Sequence, residues 1–239
     1  KRRRVFIFAY RKGSTIYKKL KKDSHNKIIF ESGVIAKAFP CELKAYSKQS
    51  DLFTREIVDD RKQYMKNYTD GRFKHAGVMI DGQIIEHDVK VIKNYKAHKS
   101  IKSFLGQIIQ PLNDVDKNFI INDQSKIDEW KSQKIGHGKD RTAKDGTEYT
   151  WKVGTMEFPD NLNKPSRTIL TSEGTKSPSR TSHIICQNET FRRLTPIELE
   201  RLNMFPDDFT HIKNIPITKR GFMMGNALVI GVVEKIGNA

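Results

Sequence analysis

Two apolar segments stand at opposite ends of a polar, basic chain, and each needs neighbours to fold. Arg4-Val5-Phe6-Ile7-Phe8-Ala9-Tyr10 is a continuous apolar run rich in β-branched and aromatic residues. Such a run reads as a strand buried on both faces. A strand of that kind needs flanking strands and covering helices, yet residues 11–27 are basic and polar and supply neither. Residues 222–236 are apolar nearly all round, so a helix there has to be buried. Both ends are expected to belong to a core whose remainder lies outside this sequence.

The 239 residues suffice for one large domain or two modest ones. Apolar residues make up 36% and charged residues 30%, a polar-leaning soluble balance. The longest apolar stretch, Ala227 to Val233, is too short to span a bilayer. No small-residue cleavage site follows the basic start, so no signal peptide is read. Cys41 and Cys186 lie far apart, form no CxxC pair, and suit a reducing cytoplasm. No metal-ligand spacing surrounds His137, and no metal is expected. The net charge of +16 points to a phosphate-bearing partner, with nucleic acid first. The alternative is a general lysine bias over the whole surface.

The middle is irregular and hairpin-rich. Residues 28–39 form a strand-like or helical segment that stops at Pro40. Residues 73–92 read as a hairpin about Asp81-Gly82, a strong turn signal between apolar runs. A short helix is expected over 101–109 and a short strand over 118–121. A helix is expected over 124–133, with Ile127 and Trp130 on one face. Residues 134–154 are basic, with a second turn at Asp145-Gly146 and two aromatics, Tyr149 and Trp151. Residues 165–186 predict two short strands around a Gly/Ser/Pro loop.

Residues 191–210, FRRLTPIELERLNMFPDDFT, carry the most explicit local signal. Thr195 is placed as an N-cap, Pro196 at the first helical position, and Glu198 completes a capping box. Leu194 and Leu199 are spaced as a hydrophobic staple. Pro206 is expected to halt the helix. This segment is a joint that fixes a chain direction; it holds no catalytic group.

The segment from Phe191 to Phe209 resembles the ninth ordered motif of the DNA (cytosine-5) methyltransferases. Gly225-Asn226-Ala227-Leu228-Val229 is similar to their tenth, and Arg2-Arg3-Arg4-Val5-Phe6-Ile7 to the end of their eighth. The resemblance implies an α/β fold: terminal pieces of a Rossmann-like S-adenosylmethionine-dependent methyltransferase sheet, plus a mixed, β-rich target-recognition domain. It divides the chain into 1–27, the end of the catalytic domain; 28–190, the target-recognition domain; and 191–239, the ninth and tenth motifs. The family's early motifs, including the cofactor loop and the Pro-Cys nucleophile loop, are absent. Pro40-Cys41-Glu42 lies after the eighth motif, so Cys41 is read as an ordinary thiol.

The implied reaction transfers a methyl group from S-adenosylmethionine to carbon 5 of a cytosine taken out of the stack. In it Arg4 would face the cytosine carbonyl oxygen, with Arg2 supporting the pocket. Gly225, Asn226 and Ala227 would close the cofactor pocket. Double-stranded DNA would be met by Lys139, Arg141, Lys144, Ser166, Arg167, Thr168, Lys176, Ser179 and Arg180. The remaining partner would be an N-terminal catalytic segment, on the same chain or a separate subunit. A prokaryotic, cytoplasmic, nucleoid-associated enzyme of restriction–modification type follows, with no membrane partner. Two other readings stay open: a non-catalytic DNA-binding specificity module, and an RNA cytosine methyltransferase.

Overall fold

A computed structural model describes residues 6–43, 53–55, 75–80, 83–92, 104–143, 146 and 148–239. They fall into two units, one from residues 6–92 with 233–239, the other from 104–232. Arg2, Arg4, the Asp81-Gly82 turn, Lys144 and Asp145 lie outside the described residues.

In the first unit residues 6–10 form no strand. Phe6 and Phe8 are exposed, and Ile7 is 86% exposed. The run finds rings rather than a sheet: Phe6 meets Phe39 and Phe8 meets Tyr10. The apolar sequence alone therefore did not decide its structure, because a strand needs a partner to pair with.

Short helices follow, the first two opened by a serine. Ser14 accepts from the Tyr17 amide to cap α1 (Thr15–Leu20), and Ser24 accepts from the Lys27 amide to cap α2 (His25–Lys27). The chain continues through a π-turn at Ile28–Ser32 into α3 (Val34–Ala38), which ends two residues before Pro40. Gly33 closes the π-turn, and a β-carbon there would lie 2.5 Å from the Ile28 carbonyl oxygen. The ambiguous 28–39 segment is thus helical.

Beyond Pro40, β4 (Gln83–Val91) is the centre of an antiparallel sheet. β1 (Cys41–Leu43), β2 (Phe53–Arg55) and β3 (His75–Ile80) all pair with it. The expected hairpin is present, with Ile80 opposite Gln83. Ile85 and His87, two apart and so on one face, are both buried. His87 Nε2 shares a hydrogen bond with Asn26 Oδ1 at 2.9 Å.

The second unit is organised around a three-stranded sheet in the order β5–β9–β8. β5 is Ile120–Ile121, β8 Ile184–Gln187 and β9 Thr190–Arg193, all antiparallel. Of the two strands expected between 165 and 186, only β8 forms, and it pairs with β9 across Asn188 and Glu189. Both turn residues have positive φ, 49° and 63°. Two successive residues of β8 point to opposite faces, and each enters a different core. Ile184 packs with Ile121 and with Trp130 of α4 (Gln124–Ser132). Ile185 packs with Leu105, Ile108, Leu194, Leu199 and Met224. Both isoleucines are fully buried. Residues 105–107 form a 3-10 turn where a short helix was expected.

The capping signal is realised in α5 (Pro196–Leu202). Thr195 Oγ1 accepts from the Glu198 amide at 3.2 Å, and Glu198 returns the bond to the Thr195 amide at 2.9 Å. Leu194 and Leu199 are buried in one cluster, as a staple requires. The helix ends before Pro206 is reached. Asn203 caps it, and Met204 turns the chain with φ 63°.

Beneath this cap lies an ion pair that no local sequence pattern announces. Arg192 and Glu198 are both fully inaccessible and bond through two parallel contacts of 2.9 and 2.7 Å. Glu198 also accepts from the Gln110 amide at 2.8 Å, and Arg192 donates to Gln187 Oε1. Four separate segments therefore meet on one carboxylate–guanidinium pair.

The apolar stretch 222–236 is two helices, α6 (Ile217–Asn226) and α7 (Ile230–Gly237), rather than one. Asn203 bridges the break: its side chain donates to the Met224 carbonyl and its carbonyl accepts from the Ile230 amide, both at 2.9 Å. Phe222, Leu228 and Val233 remain exposed. α6 lies backbone to backbone on residues 170–174. A β-carbon at Gly221 would sit 2.5 Å from the Gly174 nitrogen, and one at Gly225 would sit 2.4 Å from Leu170 C and Thr171 N. Arg220 of α6 reaches Glu200 of α5 at 2.8 Å and Thr210 Oγ1 at 3.0 Å.

Replacing Arg192 with Met should strand a buried carboxylate and cost about 3–5 kcal/mol in urea unfolding. A loss below about 1 kcal/mol would mean that the pair does not hold the corner. Gly221→Ala should cost about 1–3 kcal/mol through overpacking, and an unchanged melting temperature would count against the close approach.

Candidate nucleic-acid interface

Beyond the sheet, β6 (His137–Thr142) and β7 (Glu148–Val153) form a two-stranded ribbon. Gly146, with φ 86°, takes the left-handed turn conformation that glycine favours. Every ribbon residue with a described side chain is exposed except half-buried Val153. Facing residues in an antiparallel pair share a side. One side thus carries His137, Lys139 and Arg141 with Val153, Trp151 and Tyr149 opposite them. The other side carries Asp140, Thr142, Glu148, Thr150 and Lys152. Both acids are on the second side, where Asp140 accepts from the Thr150 hydroxyl at 2.7 Å. On the first, the Arg141 guanidinium lies over the Trp151 ring at 5.0 Å, and His137 meets the same ring edge-on.

The root of the ribbon is tied to the loop at 179–182 by a reciprocal exchange. Lys134, just before β6, is buried and donates to the carbonyls of Ser179, Arg180 and Ser182 at 3.2, 2.8 and 2.5 Å. Arg180 donates back to the carbonyls of Gln133 and Ile135, at 3.1 and 2.8 Å, and to that of Gly154. Burial lowers the Lys134 ammonium from the usual 10.5 to about 8, helped by the nearby Arg167 charge. Gly136 leaves no room for a side chain, since a β-carbon would lie 2.7 Å from the Thr155 nitrogen.

A second network holds the same loop from beneath. Arg167 donates to both oxygens of buried Asp160, at 2.5 and 3.0 Å, and to the carbonyls of Thr181 and Ser182. Asp160 also accepts from the Ile184 amide, joining the loop to β8. His183 is buried between Glu173, at 2.7 Å from Nδ1, and Ser166 Oγ, at 3.1 Å from Nε2. Arg193, whose guanidinium lies over Phe119, donates to the Thr175 and Asn118 carbonyls. Burial pushes its pKa down.

The residues singled out for DNA thus separate by circumstance. Lys139, Arg141 and Lys176 are exposed. Arg167 and Arg180 spend their guanidinium groups on the chain itself. Ser166 and Ser179 bond within the loop, Ser179 Oγ to Thr181 Oγ1 at 3.2 Å. Thr168 is half-buried. Lys134, Asp160, Glu173 and His183 were not singled out, although they shape the surface. They stand in largely polar, loop-like sequence, which periodicity does not interpret.

Cys41 is half-buried, and burial raises its thiol pKa, which disfavours the thiolate a nucleophile needs. Of the three residues assigned to the cofactor, Gly225 turns its Cα toward residues 170–171 of the chain, where a β-carbon would have no room. Asn226 is exposed at the end of α6, its amide donating to the Phe222 carbonyl at 3.2 Å, and suits a polar ligand. Ala227 packs against the main core cluster. Among the described residues no three His, Cys, Asp or Glu side chains group as metal ligands, and no helix is long and apolar enough to cross a membrane.

The profile of C-5 cytosine-specific DNA methylases matches residues 1–239. The chain belongs to that family. The type II methyltransferase M.Sau3AI of Staphylococcus aureus is 39% identical over 238 residues, covering 100% of this chain and 54% of the relative. The chain therefore spans about half the length of that relative. A solved Entamoeba histolytica methyltransferase, EhMeth, is a loose likeness: TM-score 0.39 at 17% identity, over 65% of this chain and 46% of the other.

In the unfolded chain Lys134 titrates near 10.5 and in the folded chain at about 8, so between them the unfolded state binds more protons. Wild-type stability, measured against Lys134→Met, should rise across that window by at most about 1.4 kcal/mol per pH unit. Below pH 8 both states are protonated, and the cost of burial is fully present. A wild-type minus Lys134→Met difference that stays flat from pH 8 to 10 would contradict the buried ammonium.

Proposed function

We propose that this chain is the C-terminal portion of a DNA (cytosine-5) methyltransferase of restriction–modification type. It acts on a specific site in duplex DNA, in the cytoplasm and close to the chromosome. The observation that carries the reading is the conjunction of the family match along residues 1–239 with an exposed ribbon, one face of which carries Lys139 and Arg141 and no acid. The identity to M.Sau3AI, a type II methyltransferase, supports the restriction–modification setting.

In this reading S-adenosylmethionine supplies the methyl group, and Gly225, Asn226 and Ala227 are the residues of this chain assigned to its pocket. The chain's own work is binding and orientation. Lys139, Arg141 and Lys176 meet the DNA, with Lys144 assigned to the same surface. Arg167, Arg180, Ser166 and Ser179 fix the loop and the ribbon root, and Thr168 lies between them in sequence. A ribbon held at its root presents its cations without the entropy cost of ordering them on binding. Arg4, with Arg2 in support, is assigned to charge developing on the flipped cytosine. The nucleophilic thiol is assigned to an N-terminal catalytic segment, on the same or a separate chain. The exposed Phe6, Ile7 and Phe8, and Leu228 and Val233, are assigned to contact with it.

The test is methyl transfer by the full natural chain carrying these residues. With S-adenosylmethionine it should place 5-methylcytosine in duplex DNA at one short sequence and leave RNA unmodified. Modification of RNA, or binding without transfer, would contradict the reading, and the latter would favour a specificity module. Residues 1–239 alone should transfer no methyl groups. In the full chain Arg4→Ala should lower turnover about 100-fold while DNA affinity stays within about threefold, and equal losses in both would reduce Arg4 to a phosphate contact.

A further inference from the structure

We infer that Arg141, its guanidinium lying over the Trp151 ring, is a specificity residue that reads a guanine in the major groove of the DNA site. The inference rests on the reading of the chain as a duplex-DNA methyltransferase and names what one face of its ribbon does there.

Three observations lead to it. First, the ribbon is exposed on both faces, so no other part of the described chain uses the cationic side. Its partner is of opposite charge, because Lys139 and Arg141 stand on that side and Asp140 and Glu148 on the other. A two-stranded ribbon also has the width that the major groove admits. Second, Arg141 is oriented before any partner arrives. Its guanidinium lies 5.0 Å from the centre of the Trp151 ring, and His137 braces the same ring at 5.6 Å. Stacking engages the flat face of a guanidinium and leaves its in-plane N–H donors for a planar pair of acceptors. Guanine O6 and N7 form such a pair at the major-groove edge. A lone phosphate oxygen needs no fixed plane, and Lys would serve it equally well. Third, the ribbon root is fixed: Arg180 grips the Ile135 and Gly154 carbonyls, and the Gly136 amide donates to Thr155 Oγ1. A reader needs that rigidity, whereas a simple charge tether does not.

The experiment selects a pool of duplexes with a randomised core by methylation with the full natural chain, then sequences the modified molecules. Wild type defines the site, and variants are scored position by position. Arg141→Lys keeps the charge but loses the fork. It should reduce the preference for guanine at one position about 10- to 100-fold, with affinity for unrelated duplex unchanged. Trp151→Leu should weaken the same preference at the same position, less severely. Glu148→Gln, on the opposite face, should leave every preference intact. Because these side chains are exposed, far-UV circular dichroism should show all three variants folded. The inference is overturned if Arg141→Lys retains the full preference. It is also overturned if Arg141→Met weakens all sequences equally and lowers the salt slope by about one, the mark of a phosphate contact. If wild type modifies no duplex at all, the methyltransferase reading fails first and this inference falls with it.

Discussion

Much of the second unit depends on one buried ion pair. Arg192 ends a strand pairing and Glu198 opens a helix, and neither is reached by solvent. Burying two charges is costly unless every donor and acceptor is used. Here the carboxylate takes the guanidinium, the Thr195 amide and the Gln110 amide, while the guanidinium also reaches Gln187 and the Arg193 carbonyl. Such a site tolerates little displacement, because moving any one segment leaves a charge without its partners. That intolerance fixes the angle between β9 and α5. Through the Leu194–Leu199 contact it also sets the core that receives Ile185.

From that corner the geometry extends outward in steps. α5 ends at Asn203, which ties the end of α6 to the start of α7. α6 lies so close to residues 170–174 that glycine is required on both sides of the contact. The segment it presses carries Glu173, which holds His183 at the head of β8. The loop beside it gives its carbonyls to Lys134, and its Arg180 donates to those of Gln133, Ile135 and Gly154; together they set the root of the ribbon. The surface assigned to DNA is thus the far end of a series of satisfied buried polar groups. Low local dielectric strengthens each of them and makes each costly to break.

The sequence was legible where structure is local. The capping box at Thr195 and Glu198, the staple of Leu194 and Leu199, and the helix with Ile127 and Trp130 on one face all follow from short-range rules. So does the hairpin of β3 and β4. Non-local features were not legible. The run at Phe6 to Tyr10 has strand composition, but pairing decides whether a strand forms, and its sequence names no partner. The stretch 222–236 looked like one helix because hydropathy does not show that Asn203 breaks it from another segment. Over residues 134–154 the basic and aromatic content marks a loop with a turn at Asp145-Gly146, and the pairing of β6 with β7 is not written in it. Arg167 and Arg180 were indistinguishable from Lys139 and Arg141 in sequence, since burial and carbonyl partners are set by folding. The family resemblance, drawn from the end of the eighth motif and from the ninth and tenth, agrees with the profile matched along the chain.

Native-state hydrogen exchange tests most directly whether the buried corner governs this unit. The amides of Thr195 and Gln110 both donate into Glu198. Together with those of Ile184 and Ile185 they should exchange only through global unfolding, with one shared free energy and one denaturant slope. Exchange of Thr195 and Gln110 by local fluctuations, several kcal/mol below the amides of Ile184 and Ile185, would show that the ion pair merely decorates a fold held elsewhere.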